Sequence, residues 1–139
     1  MKKRTPISKI MTKNVITLNH TDELETAERL FKKNHIRHIP VVSGDIIKGI
    51  LSYTDLLRIS FADAIDEDED TVDTVVYNMF TIEQVMVKNP TSVSSATTIK
   101  EVAELLAKQE FHALPVVDDG KLVGIVTTTD LINYLIDQF

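Results

Sequence analysis

PVVDDGKLVGIVTTTDL, residues 115–131, reads as a strand, a turn, a second strand and the first turn of a helix. Val116 and Val117 are β-branched and apolar, and Asp118–Lys121 supplies an Asp-Gly turn. Leu122–Val126 is an apolar run short enough for a buried strand. Thr127-Thr128-Thr129-Asp130 then places hydroxyls and one carboxylate where strand gives way to helix. Helix N-termini carry unpaired N–H groups and a partial positive charge, so such a corner favours an anion.

The same stretch occurs earlier as PVVSGDIIKGILSYTDL, residues 40–56. Pro40 matches Pro115, Gly49 matches Gly124, Ser52 matches Thr127 and Asp55 matches Asp130, always 75 residues apart and without a gap. The register continues upstream, where Met11–Asn14 matches Met86–Asn89; between 7–58 and 82–133, 14 of 52 aligned pairs are identical. A repeat dictates architecture, and two copies are too few for a solenoid, so a pseudo-twofold pair of domains is expected. The division is 1–61 for the first repeat with its N-terminal lead, 62–81 for a connector, and 82–139 for the second repeat.

Periodicity fills in the elements. After Pro6, Ile7–Met11 is expected to form a helical turn, and Val15–Leu18 a short strand. Thr21 or Asp22 is placed to cap a helix to about Asn34, with Leu24, Ala27, Leu30 and Phe31 on one face. His38–Val42 and Ile46–Leu51 read as strands, and Thr54 or Asp55 opens a helix toward Phe61. In the second repeat, Ile82–Met86 matches the helical turn and Ser92–Val93 the first strand; Thr98–Glu101 has the spacing of a capping box. Leu114–Val117 and Leu122–Thr127 are strands, and Asp130–Phe139 is a helix with Leu131, Tyr134, Leu135 and Phe139 inward. Each repeat is therefore strand–helix–strand–strand–helix, an α+β arrangement.

Composition narrows the function. The 139 residues are 43% hydrophobic and 26% charged, as in a soluble globular protein with a sizeable core. A net charge of −6 argues against a nucleic-acid partner. The absence of cysteine excludes disulfides and thiolate metal sites and fits a cytoplasmic protein. No apolar run approaches the roughly 18–20 residues of a membrane span, and the basic start MKKR is followed by no signal-peptide core. The acidic run Asp66–Asp70 reads as a solvated linker rather than a cation loop, because it lacks spaced ligands and a turn glycine. Val72–Phe80 regains apolar character and is expected to pack as a connector. His20, alone in a loop, reads as surface, and Met11 and Met86 as packing residues.

The chemistry concentrates at Ser52 with Asp55 and Thr127 with Asp130. A carboxylate held at a strand-to-helix corner accepts hydrogen bonds from two neighbouring hydroxyls, which a ribose offers as its 2′- and 3′-OH. The plainer reading of either pair is an N-cap; two copies at one offset favour a binding role. Arg37 and His38 before Pro40, and Arg58 one turn after Asp55, suit a phosphate. His112 is the corresponding group in the second repeat, where Ala113 and Asn133 replace His38 and Arg58. The two sites therefore differ in charge. No cysteine nucleophile, serine elbow, His-Glu-x-x-His metal motif or glycine-rich phosphate loop is present.

HIPVVSGDIIKGILSYTDLL and HALPVVDDGKLVGIVTTTDLI together resemble the core of cystathionine-β-synthase-type (CBS) domains, over about Ile7 to Ile136. The resemblance implies two βαββα CBS repeats packed sheet to sheet about a pseudo-twofold axis. It implies a homodimer, no required cofactor or metal, and no catalytic residue. It also implies a regulatory module that senses an adenosyl ligand (AMP, ADP, ATP, S-adenosylmethionine or an NAD-like compound) on behalf of a partner protein. Carried onto this chain, one cleft uses Ser52 and Asp55 for ribose and Arg37, His38 and Arg58 for phosphate, with Lys88, Pro90 and Thr91 along the base. The other uses Thr127 and Asp130 for ribose and His112 toward phosphate, with Thr12, Val15, Thr17 and Ile36 lining the base. Val87, where the first repeat has Thr12, makes one base pocket more apolar. A dimerisation scaffold with vestigial ligand sites is the alternative.

Overall fold

The computed structural model describes residues 4–63 and 79–139. The acidic run at 66–70 and most of the apolar connector, 72–78, lie outside the described residues. The chain forms two compact units that do not follow the repeat boundaries: one holds Met1–Val15, Asp45–Ile47 and Pro90–Phe139, the other Ile16–Gly44 and Lys48–Asn89.

In the second of these units, β1 (Leu18–Asn19) lies parallel to β2 (His38–Ser43), with Leu18 opposite Val41. Helix α1 (Leu24–Asn34) connects them. Strand β3 (Ile46–Ser52) follows β2 after the Gly44–Asp45 turn, a two-residue link that only antiparallel neighbours allow. Gly44 has φ +65° at the first turn position, as a type II′ hairpin requires. Helix α2 (Tyr53–Asp63) leaves β3 directly. The core is Leu18, Leu24, Ala27, Phe31, Ile39, Val41, Leu51 and Leu56, and Phe31 meets Tyr53 edge-on with ring centres 5.2 Å apart. α1 starts one to two residues later than expected, at Leu24 behind Glu23, with no side-chain cap. Neither Thr21 nor Asp22 caps it: the Asp22 carboxylate accepts from the Asn19 N–H at 2.9 Å, and Thr21 hydrogen-bonds the Asn19 side chain. α1 ends at His35, which takes the left-handed conformation (φ 53°) and donates its N–H to Phe31 O.

This core also contains a segment of the other repeat. Ile82, in α3 (Ile82–Val85), is fully buried among the first-repeat residues, and Met86 packs beside it. Behind α3, β4 (Val87–Lys88) runs antiparallel to β3, with Gly49 opposite Lys88 and Ile50 opposite Val87.

The other unit mirrors this. Helix α4 (Ile99–Lys108), strands β5 (Ala113–Asp118) and β6 (Lys121–Thr127), and helix α5 (Thr128–Asp137) surround Val93, Ile99, Val102, Leu106, Leu114, Val116 and Val126. Asp119 and Gly120 both have positive φ, the type I′ turn that an Asp-Gly pair specifies. Ile7, in a single 3-10 turn at Ile7–Lys9, is fully buried in this core. The leading segments are thus exchanged, each completing the core of the other repeat.

Several sequence expectations are corrected here. The first strand of repeat one is Leu18–Asn19, not Val15–Leu18. Its counterpart at Ser92–Val93 shrinks to one parallel bridge between Val93 and Val116. Thr98 does accept from the Glu101 N–H at 3.1 Å, but the Glu101 side chain turns to the Thr98 hydroxyl, so only half of the expected capping box forms. α2 opens at Tyr53 and α5 at Thr128, each just behind its hydroxyl residue. Leu135 and Phe139 do not point inward: Leu135 is 43% and Phe139 fully exposed. α5 turns Leu131 and Tyr134 to the core, and Phe139 lies beyond the end of the helix at Asp137.

Candidate functional sites at two matched corners

Both corners are built from backbone first. In the unit carrying Asp55, the Tyr53 N–H donates to Arg37 O at 2.8 Å, which fixes the start of β2 against the start of α2. In the unit carrying Asp130, Thr128 N–H donates to His112 O at 3.1 Å, the same bond 75 residues on. The leading segments complete each frame. Thr12 and Ile125 exchange both backbone hydrogen bonds, at 2.9 and 3.0 Å, just as Val87 lies opposite Ile50.

Gly49 and Gly124 permit this approach. A Cβ on Gly49 would sit 2.7 Å from Val87 O and 2.5 Å from Met86 Sδ; on Gly124 it would sit 2.9 Å from Thr12 O and 2.8 Å from Met11 Sδ. The sequence comparison pairs these glycines but says nothing of their purpose. Their signal was the coincidence of a strand glycine with a matched methionine upstream in the opposite repeat, and it carries meaning only once the exchange is known.

At the Asp130 corner, Thr127 caps α5 in a complete capping box. Its hydroxyl accepts from Asp130 N–H at 3.3 Å, and its own N–H donates to Asp130 Oδ2 at 2.9 Å. The Thr12 hydroxyl, 118 residues away in sequence, donates to Asp130 Oδ1 at 3.5 Å. The carboxylate is half-buried, and its donors among the described residues are all neutral. At the Asp55 corner, Ser52 Oγ accepts from Asp55 N–H at 3.0 Å, but the carboxylate partner is a cation, Arg58 Nη1 at 3.4 Å from Asp55 Oδ1. Val87 stands where Thr12 stands in the other frame and offers no hydroxyl.

One unit therefore brings together Arg37, His38, Ser52, Asp55, Arg58 and Lys88, while Pro90 and Thr91 belong to the other. That other unit brings together Thr12, Val15, His112, Thr127 and Asp130, while Thr17 and Ile36 do not belong to it. Lys13, absent from the sequence-derived set, follows Thr12 as Lys88 follows Val87. A carboxylate has about four lone-pair positions, so each aspartate retains acceptor capacity for a diol beyond the bonds it already makes.

His20 is not the isolated surface residue expected. Its Nδ1 lies 2.9 Å from Glu83 Oε1, and both line a cavity of about 400 Å³ with Asp22, Glu25, Phe80 and Thr81. Asp118 is the one described group with a clear shift in acidity. The Ser95 hydroxyl at 2.6 Å and the Ser95 N–H at 3.0 Å hold its carboxyl below the ordinary range. Among the described residues, no cluster of three or more His, Cys, Asp or Glu is placed to hold a metal. No described helix is long and apolar enough to cross a membrane.

Comparison with known proteins places these corners in context. The family model described as "CBS domain" matches residues 7–62 and again 82–137. A CBS domain-containing protein of Dictyostelium discoideum is 29% identical over 133 residues, covering 94% of this chain and 90% of that protein. An uncharacterized protein of Methanocaldococcus jannaschii is 31% identical over 129 residues, 92% of this chain but only 46% of the relative. Among solved structures, the CBS domain pair of protein MJ0100 in complex with 5′-methylthioadenosine and S-adenosyl-L-methionine superimposes with a TM-score of 0.78 at 25% identity. It covers 97% of this chain and 98% of that one.

Proposed function

Since the chain belongs to the CBS domain family, we propose that it is a regulatory module that binds adenosine-containing ligands at the Asp55 and Asp130 corners and catalyses no reaction itself. The observation that carries this reading is the doubled corner. A half-buried carboxylate sits at the third position of a helix behind a capping hydroxyl, in both repeats and in the same backbone frame. Capping alone accounts for one carboxylate, whereas two in matched frames are what a pair of ribose sites needs. The adenosyl ligands of the MJ0100 pair support the ligand class.

Each aspartate takes the ribose 2′- and 3′-OH. Arg37, His38, Arg58 and Lys88 face phosphate at one site, and His112 at the other. Ligand binding biases the module between conformations, and a partner protein or the module's own homodimer reads the bias, in the manner of an energy sensor in the cytoplasm. Ile132, Leu135 and Ile136 on helix α5, with Phe139 just beyond its end, are all at least 43% exposed with no Lys or Arg on the helix, which supports a second copy of this chain as their cover. The same residues also support the alternative of a scaffold whose ligand sites are vestigial.

A thermal-shift series separates the two. AMP, ADP, ATP, S-adenosylmethionine and NAD, each with and without Mg²⁺, are added to wild type, Asp55→Ala and Asp130→Ala. A ligand at a hundredfold excess over its Kd stabilises the native state by about 2.7 kcal/mol, and the matching aspartate variant loses that gain. No shift with any ligand up to millimolar concentration leaves the scaffold standing.

A further inference from the structure

The two corners share a frame but not a charge. Beside Asp55, the matched positions hold Arg37, Arg58 and Lys88; beside Asp130 they hold His112, Asn133 and Lys13. Two permanent cations are therefore present in one frame and missing from the other, and Ala113 takes the place of His38 as well. The carboxylates themselves differ in the same sense. Asp55 is paired with Arg58 at 3.4 Å, so a phosphate arriving there meets a carboxylate that already has a cation beside it. Among the described residues, Asp130 accepts only from the neutral donors of Thr127 and Thr12, with one lysine nearby in the chain. A phosphate carrying up to two negative charges is repelled by that carboxylate and finds no guanidinium fork to compensate. The Thr12 hydroxyl adds an uncharged donor on the side where the other frame has Val87.

We propose that the two sites divide ligands by charge: the Asp55 site takes a phosphorylated adenosyl compound, and the Asp130 site takes an adenosyl compound without phosphate, a neutral thioether nucleoside or a sulfonium. The division rests on the ribose-binding reading of both corners and adds to it the class of ligand at each. It makes the module a comparator of two adenosyl pools rather than a sensor with two equivalent sites.

Isothermal titration calorimetry tests it, with AMP and 5′-methylthioadenosine as probes on the purified full chain. Asp55→Ala abolishes AMP binding and changes 5′-methylthioadenosine affinity less than threefold, and Asp130→Ala does the reverse. Arg58→Gln, a surface substitution that leaves the fold intact by circular dichroism, weakens AMP at least tenfold and leaves the thioether unaffected. Installing Asn133→Arg with Ala113→His creates a second AMP site. Loss of both probes with the same aspartate substitution, or an Arg58→Gln protein with unchanged AMP affinity, overturns the division while leaving adenosyl binding intact. Failure of wild type to bind either probe at millimolar concentration overturns the ribose reading and the division with it.

Discussion

The two exchanged leading segments, Ile7–Met11 and Ile82–Met86, do the same task by different local means. The first is a single 3-10 turn behind Pro6, with no side-chain cap. The second is a short α-helix behind Thr81, whose hydroxyl accepts from Gln84 N–H while the Gln84 side chain accepts from Thr81 N–H, a complete capping box. Yet Ile7 and Ile82 are both fully buried, and both segments end against a strand glycine of the opposite repeat. The kind of helical turn is therefore incidental. What the two segments share, beside their backbone pairing, is one buried isoleucine and one glycine notch.

The strongest way to break this comparison is to remove the isoleucines. Ile7→Ala and Ile82→Ala are each expected to cost about 2–5 kcal/mol, as large-to-small core changes do. Hydrogen exchange should localise the damage crosswise. Ile7→Ala loosens amides in 93–126, and Ile82→Ala loosens amides in 18–56. Loosening confined to each isoleucine's own repeat would contradict the exchange.

Filling the notches comes next. Gly49→Ala and Gly124→Ala force backbone displacement and are expected to cost about 1–3 kcal/mol by urea denaturation. Gly49 should suffer more, since its added Cβ would lie closer both to the opposing carbonyl and to the methionine sulfur. Equal effects would mean that the neighbours of Gly49 yield far enough to cancel the closer approach.

Removing the capping hydroxyls sharpens the contrast between the corners. Thr127→Ala should lower stability by about 1 kcal/mol, and Ser52→Ala by somewhat less. Thr127 anchors a reciprocal box, whereas Ser52 accepts from Asp55 N–H with no reciprocal bond among the described residues. Melting temperatures of the two variants, compared without ligand, check the order.

The smallest effect concerns a feature only one unit has. Asp118 is held by Ser95, while its counterpart in the first repeat is Ser43. Its folded-state acidity is raised, so the unfolded chain binds the proton more readily. The contribution is present above the ordinary carboxylate value of 3.8 and is lost as pH falls through the lower folded value. Asp118→Asn should therefore lower the melting temperature at pH 7, with the difference from wild type shrinking below about pH 4. A pH-independent difference would assign the loss to the hydrogen bonds rather than the charge.

Much of this was legible in the chain. The second hairpin followed from the Asp-Gly turn at Asp118–Lys121, because positive φ is a local demand that few residues meet, and the first hairpin followed from the repeat. The corners followed from hydroxyl and carboxylate spacing, because an N-cap is satisfied within four residues. Less legible were the elements whose support is distant. Ser92–Val93 is too short for its pattern to specify a strand, and pairing with Val116 alone decided its extent. Leu135 was misplaced because α5 is apolar on more than one side, and periodicity cannot say which side faces its own core; Phe139 was misplaced because the helix ends before it.

The sequence by itself determined the repeat, its offset of 75, the strand-to-helix corners and the charge difference between them, since all of these are written in residue types and short spacings. Tertiary structure alone decided which core each leading segment joins, why Gly49 and Gly124 lack side chains, and that Thr12 reaches Asp130. An apolar segment of five residues suits either core equally in composition. Only the path of the chain, and the shape of the notch it meets, selects one.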